Sequence, residues 1–297
     1  MLFRWASPFR FRTTFGWSCG VLTCSAFVGA DMRKTGGLLR VGVLVMVGTV
    51  LLALGHGAHR AVCPREHGPR KAVGVVPERV VGGVKVWASG NWAGYAVIGS
   101  SFTQAKGSWV VPAVDCAATR GGSASFWVGI DGWSDATVEQ TGTDSDCDGE
   151  KPHYYAWYEF APKGGVTIDS VPVSAGDRMS GEVDYDGSEF TVTITNEATG
   201  AWFSTSAIVP VAHRASAEWI AENNGIGLSD FGVAPFGEDF TGVSDTNFAT
   251  DDRTSGEIHA FGKRVQASTI VNQGVDDAVP SSLSPDGTSF TVTWKAE

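Results

Sequence analysis

Long amphipathic helical patterns are nearly absent from these 297 residues. Without them a helical bundle is excluded. No HExxH occurs, and the six histidines are scattered, so metal-assisted hydrolysis has no ligand set to start from. From position 89 onward there is no GxSxG elbow and no Asp-Thr-Gly or Asp-Ser-Gly. Those gaps leave serine-triad and paired-aspartate chemistry without their usual sequence marks. CxxC pairs are missing as well, and only Cys116 and Cys147 of the five cysteines fall in the body of the chain. In an exported domain two such cysteines form one bridge, and closing its loop contributes on the order of 3 kcal/mol. Basic charge is scarce where it would matter for nucleic acid. Of 22 basic and 32 acidic residues, 12 and 3 lie in positions 1–90, leaving 10 and 29 for 91–297, a net of −19. That body lacks the basic footprint nucleic acid requires. It suits an acidic environment, where protonation relieves its self-repulsion.

The basic head has its own organisation. Residues 32–58 carry Arg33, Lys34 and Arg40 before an apolar run from Val41 to Leu54, followed by glycines and Ala58. This is the layout of a secretory signal, and the run is shorter than the ~20 residues a membrane-spanning helix needs. The 31 residues before Met32 read as a mis-assigned extension. Residues 59–88, with Arg60, Arg65, Arg70, Lys71, Arg79 and Lys85, read as a linker or as a basic pro-segment attracted to an acidic active-site face. On the second reading, maturation cuts the chain between about 71 and 90, at an exposed basic stretch. The remaining domain, 89–297, is expected to be secreted, monomeric, free of cofactor and metal, and away from membrane and nucleic acid.

What is present is strand. Tryptophan reaches 11 and glycine 38, and short alternating or apolar runs recur between turn signals. NWAGYAVIG (91–99), SFWVGIDGW (125–133), YYAWYEFAP (154–162), EFTVTITNE (189–197) and SAEWIAEN (216–223) are examples. Asp186-Gly187 marks a hairpin. Ten or more antiparallel strands in one body predict an all-β, two-sheet sandwich. The Gly-, Asp- and Thr-rich stretch 225–262 reads as long loops with one or two short strands. Alternation sorts side chains between faces. Phe126, Val128 and Ile130 are expected in the core, with Trp127, Gly129 and Asp131 opposite. Gln140 points away from Glu139; Tyr155, Trp157 and Glu159 share a side, as do Glu218 and Glu222. A sheet face with Trp, Asp, Gln and Glu in place of Thr and Lys suits an extended polymer.

The set NWAGY (91–95), FWVGIDG (126–132), EQTGTD (139–144), YAWYE (155–159) and AEWIAE (217–222), in that order, resembles the glutamic peptidases, the eqolisin family. The similarity covers about residues 89–296. It implies a concanavalin-A-like sandwich of antiparallel sheets, made as an exported pro-enzyme and active in acid on extended polypeptides. It implies a catalytic pair, with Gln140 as the glutamine and Glu222, the second Glu of AEWIAE, as the glutamate. Trp92, Trp127, Asp144 and Glu159 match positions that line or support the cleft; Asp131, Trp157 and Glu218 join them by strand parity. One departure stands out. Fungal members carry an aspartate where this chain has Tyr155.

Two rival readings remain open on the residues alone. A glycoside hydrolase on the same sandwich would use two carboxylates such as Glu159 and Glu222, and Gln140 would be dispensable. A carbohydrate-binding module would stack Trp92, Trp127 and Trp157 on sugars and need neither glutamate. Asp144-x-Asp146-x-Asp148-Gly149 imitates the start of a calcium loop, but its twelfth position is Tyr155 and Cys147 lies inside it, so it reads as an acidic turn.

Overall fold

The computed structural model describes residues 79–295. The extension 1–31, the signal 32–58 and residues 59–78 of the basic segment lie outside these described residues. The strands in chain order are β1 (Arg79–Val81), β2 (Val84–Ser89), β3 (Trp92–Ile98), β4 (Gln104–Val110), β5 (Ser125–Ile130) and β6 (Glu139–Asp148). They continue with β7 (Lys151–Phe160), β8 (Val166–Ile168), β9 (Arg178–Tyr185), β10 (Phe190–Asn196), β11 (Ala201–Ala207) and β12 (Ser216–Glu222). The last six are β13 (Val233–Phe236), β14 (Phe248–Thr250), β15 (Ser255–Glu257), β16 (Val265–Asn272), β17 (Val275–Pro280) and β18 (Phe290–Trp294). A short helix, Glu238–Thr241, and 3₁₀ turns over Ile258–Arg264 complete the described residues.

The strands form a sandwich. The front sheet runs β8-β7-β6-β5-β12-β3-β16-β2-β1, antiparallel except for the β16–β2 pair. The back sheet runs β11-β10-β9-β4-β14-β15. Strands β17, β18 and β13 step from β16 across to β4. Between the sheets, Tyr95, Phe126, Val128, Ile130 and Trp219 of the front meet Trp109, Met179, Val183, Val192 and Ile194 of the back in one buried cluster. Alternation in β10, FTVTITN, is what aims Phe190, Val192 and Ile194 inward and leaves its threonines half exposed. The polar ends of core aromatics are satisfied: the Trp219 Nε1–H donates to the Lys106 carbonyl at 2.6 Å, and the Trp109 Nε1–H to Thr143 Oγ1 at 2.8 Å.

The β9–β10 hairpin turns at Asp186-Gly187. Asp186 Oδ1 accepts from the Glu189 amide and from the Ser188 hydroxyl and amide, which hold its carboxyl below its ordinary value, and Gly187 takes the positive φ of 105°. Cys116 and Cys147 are bonded, pinning the loop before β5 to the end of β6.

Two stretches carry more order than the sequence predicts. The 225–262 region holds β13, β14 and β15, a helical turn and the start of the 3₁₀ segment, because each short strand borrows an existing sheet edge. The sheet also begins at Arg79, ten residues before the expected boundary at 89. β2 pairs in parallel with β16 from Ala267↔Val86 to Ile270↔Ser89, and β1 closes a hairpin on β2. The acidic-turn reading of 144–148 is likewise corrected: these residues lie inside β6, so no loop forms there. Among the described residues no helix is long and apolar enough to cross a membrane.

Candidate active site

Register turns the front sheet into a grid. One row across five neighbouring strands reads Trp92 (β3), Glu222 (β12), Ser125 (β5), Asp144 (β6) and Tyr155 (β7). Two residues along, the row reads Gly94, Ile220, Trp127, Gly142 and Trp157. The next reads Ala96, Glu218, Gly129, Gln140 and Glu159. A side-chain period of two puts all three rows on the face away from the core cluster, whose members are the intervening Tyr95, Phe126, Val128, Trp219 and Ala221. Gln140 and Glu222 therefore share one face, on strands separated by β5 alone.

The first two rows together lay down a floor of indoles. Trp92, Trp127 and Trp157 cluster with Val138 and Ile220, and the Trp92 and Trp127 rings meet edge-on at 4.9 Å. Glycine makes this possible. A Cβ on Gly142 would lie 2.6 Å from Trp127 Cβ, 2.8 Å from the Trp157 ring and 2.4 Å from the Phe126 carbonyl oxygen. Gly142 thus lets two large rings settle against the β5–β6 backbone, where a side chain would lift them.

On this floor the polar groups are held by named donors. Glu222 Oε2 accepts from the Trp127 Nε1–H at 2.9 Å, and Oε1 accepts from Asn91 Nδ2 at 3.2 Å. Asn91 also ties down the strand end through its own carbonyl, which accepts from the Asn223 amide at 2.8 Å. Gln140 Nε2 donates to Glu159 Oε2 at 2.7 Å, and its Oε1 has no protein partner among the described residues. Two N–H groups aimed at one carboxylate fix its orientation, as does the amide–carboxylate contact for Gln140.

The remaining predicted residues divide. Asp144 is brought to the row of Glu222, where it accepts from Ser125 Oγ at 2.6 Å and from Tyr155 Oη at 2.7 Å. Asp131 lies apart from that row. Its carboxylate accepts the backbone amides of His213, Arg214 and Ala215 at 2.8, 2.7 and 2.6 Å, securing the loop that leads into β12. Burial pushes its pKa up, and those three amides work against the rise. Glu218 shares a row with Gln140 but is fully buried, and neither oxygen has a partner in good hydrogen-bond geometry among the described residues, with only Ser216 near enough to ease its charge. Burial drives its pKa well above the carboxylate range, with Asp131, Asp135 and Glu139 adding repulsion. Glu139 is pushed up to about 9, first by burial and then by Asp131 and Asp135.

Reading the chain missed Asn91, Ser125 and Asn224. Asn91 opens the quoted NWAGY motif, so a signal was present; the others look like ordinary strand-end polar residues. Asp131 and Glu218 were expected at the cleft, but their gathering with Asp135 and Glu139 into one buried acidic cluster was not legible, because strand parity does not say which strands become neighbours.

The model of the peptidase A4 family matches residues 90–293. Aspergillopepsin-2 of Aspergillus niger is 30% identical over 232 residues, covering 69% of this chain and 78% of that protein. Scytalido-glutamic peptidase, solved with a transition state analog inhibitor, superposes with a TM-score of 0.58 at 24% identity, over 69% of this chain and 98% of that one. SCP-B, an eqolisin family peptidase solved with the tripeptide Ala-Ile-His, gives 0.52 at 25% identity over the same shares.

Proposed function

The chain belongs to the peptidase A4 family, the glutamic peptidases, and from that premise we propose that its endopeptidase chemistry runs on a Gln140–Glu222 dyad and one water in acid. The observation that carries this reading is the pair of donors on Glu222: Trp127 and Asn91 hold its carboxylate on the face that Gln140 occupies.

The chemistry follows from charge. Glu222, ionised, takes a proton from water as it adds to the scissile carbonyl. It then returns that proton to the departing amine. The negative charge that develops on the carbonyl oxygen needs a donor that does not titrate. The Gln140 Nε2–H is such a donor at any pH, worth about 10²–10³ in rate for a group of this kind. Glu159, bonded to that same nitrogen, sets the amide plane. Activity falls in strong acid, because a protonated Glu222 is no longer a base. The substrate is an extended polypeptide laid across the rows, over the Trp92, Trp127 and Trp157 floor. Export through the 32–58 signal completes this reading.

The test is proteolysis of denatured haemoglobin or casein at about pH 3–4 with pepstatin present. Gln140→Ala and Glu222→Gln are expected to lose nearly all cleavage while keeping the fold by circular dichroism. Appreciable acid proteolysis by either folded variant would remove the dyad. Release of sugar in place of peptides would select a glycosidase.

A further inference from the structure

The row that carries Trp157 and Trp127 does not end at β3. Its β3 member, Gly94, pairs with Ser268 of β16, and Ser268 pairs in turn with Trp87 of β2. The residues just before these two, Ala267 and Val86, belong to the core cluster. Alternation therefore points Ser268 and Trp87 to the same side of the sheet as Trp127. Gly94 and Ser268 are small, so past Ile220 the row carries no bulky side chain until Trp87.

Trp87 differs from the three indoles of the floor. Those are almost completely buried, whereas Trp87 is 48% exposed. It is nevertheless held in place. Its Nε1–H donates to Gln266 Oε1 at 2.6 Å, and Gln266, as the partner of Ala96, lies in the row of Gln140. Lys85 Nζ lies over the indole, 4.7 Å from its centroid. An indole whose N–H is already taken offers a large apolar surface, and one that is already fixed loses little freedom when a ligand packs on it. The ammonium beside it repels lysine and arginine, so the side chain that fits is uncharged and apolar.

The distance to the chemistry follows from the strand order. Glu222 of β12 and Gln140 of β6 flank β5, so a scissile bond between them lies over β5. From β5 the order is β12, β3, β16 and β2. Four spacings of ~4.8 Å make about 19 Å along the row, which an extended peptide covers in about six residues. We propose that Trp87 is a specificity-determining residue: it forms a distal subsite that takes an aromatic or prolyl side chain about six residues from the scissile bond, on one side of it. The subsite rests on the reading of Gln140 and Glu222 as the dyad, and it deepens that reading by giving the substrate a minimum length and a preference at its far end.

The experiment measures kcat/KM at acid pH for internally quenched peptides, using the full chain after maturation. A core peptide of about eight residues is too short to reach Trp87 from a central cut. The same core is then extended on its N-terminal or its C-terminal side, with phenylalanine, alanine or lysine about six residues from the cut. On one of the two extensions the wild type is expected to cleave the phenylalanine form about fivefold to tenfold better than the alanine and lysine forms. Trp87→Ala is expected to abolish that preference and Trp87→Phe to keep most of it, while both cleave the core peptide within about twofold of wild type. Trp202 is an indole 65% exposed on β11 of the back sheet, and Trp202→Ala is expected to keep the preference whole.

The wild-type peptides decide without any variant: no preference for phenylalanine on either extension overturns the proposal. So does a preference that survives in Trp87→Ala, or one that Trp202→Ala removes as well. A Trp87→Ala loss as large on the core peptide as on the extended ones overturns it too, since a structural role would act on both. An active mature chain whose N-terminus lies beyond residue 87 has the same consequence. Failure of the dyad is read separately, from cleavage of the core peptide by Glu222→Gln.

Discussion

Replacing Glu139 by Gln should make this protein more stable at neutral pH and leave it unchanged in acid. Glu139 is fully buried, and neither carboxyl oxygen has a hydrogen-bond partner among the described residues. Burial first, then the charges of Asp131 and Asp135, raise its pKa from 4.5 to about 9. The sign follows from proton linkage. The native state holds this proton more tightly than the unfolded chain does. The stability it contributes is therefore complete below about 4.5 and is lost as pH rises toward about 9. At pH 7 the unfolded chain has released the proton across about 2.5 units in which the native state keeps it, a loss of about 3 kcal/mol at 1.36 kcal/mol per unit. Glutamine has no proton to lose, so the variant escapes that loss. Urea unfolding followed by tryptophan fluorescence at pH 3, 5 and 7 measures it directly. The expected gain is near zero at pH 3 and about 3 kcal/mol at pH 7, or roughly 6–12 °C in midpoint for a domain of this size. A difference between variant and parent that is the same at all three pH values would refute the burial argument. Glu218, raised for the same first cause, makes the parent's own decline toward neutrality steeper than Glu139 alone provides.

Gly142→Ala should damage both fold and activity, by several kcal/mol on the scale of overpacked cores. Its Cβ would sit 2.4 Å from the Phe126 carbonyl and 2.6 Å from Trp127 Cβ, and denaturant midpoints read the effect. Trp127→Phe keeps an aromatic floor but removes the donor 2.9 Å from Glu222 Oε2. We expect kcat to drop by about tenfold to a hundredfold, with KM changed far less, and an unchanged kcat would exclude a role for that indole N–H. Maturation should cut between about 71 and 79, upstream of β1, because a cut between 81 and 90 would strip the strand paired with β16. N-terminal sequencing of the active form checks it, and a mature chain starting near 90 would contradict the place of β1 and β2 in the sheet.

Much of this protein is local and was readable as such. The FWVGI alternation put Phe126 and Val128 in the core and Trp127 and Gly129 on the other face, because a strand has only two sides. Asp186-Gly187 made its hairpin for the same kind of reason: the conformation it needs is written in two adjacent residues. The spaced motifs around Gln140 and Glu222 named the face of interest without any distance. Other features depended on which strands became neighbours. β2 lay unnoticed in a basic segment, since a parallel edge pairing with residues 267–270 leaves no period of its own. The short strands after residue 230 exist only because β18 and β4 offer them edges. Along the chain Glu139 looks like a solvated charge and Glu218 like a cleft residue, and only the packing of the sheet turns both into buried acids beside Asp131 and Asp135. The hydrogen bonds that link Tyr155, Asp144, Asp146, Ser123 and Asn224 join β6, β7 and the β12 exit across about a hundred residues of chain, and they exist only once those strands are neighbours. Side-chain direction is set by neighbours in sequence, whereas charge and proton occupancy are set by neighbours in space.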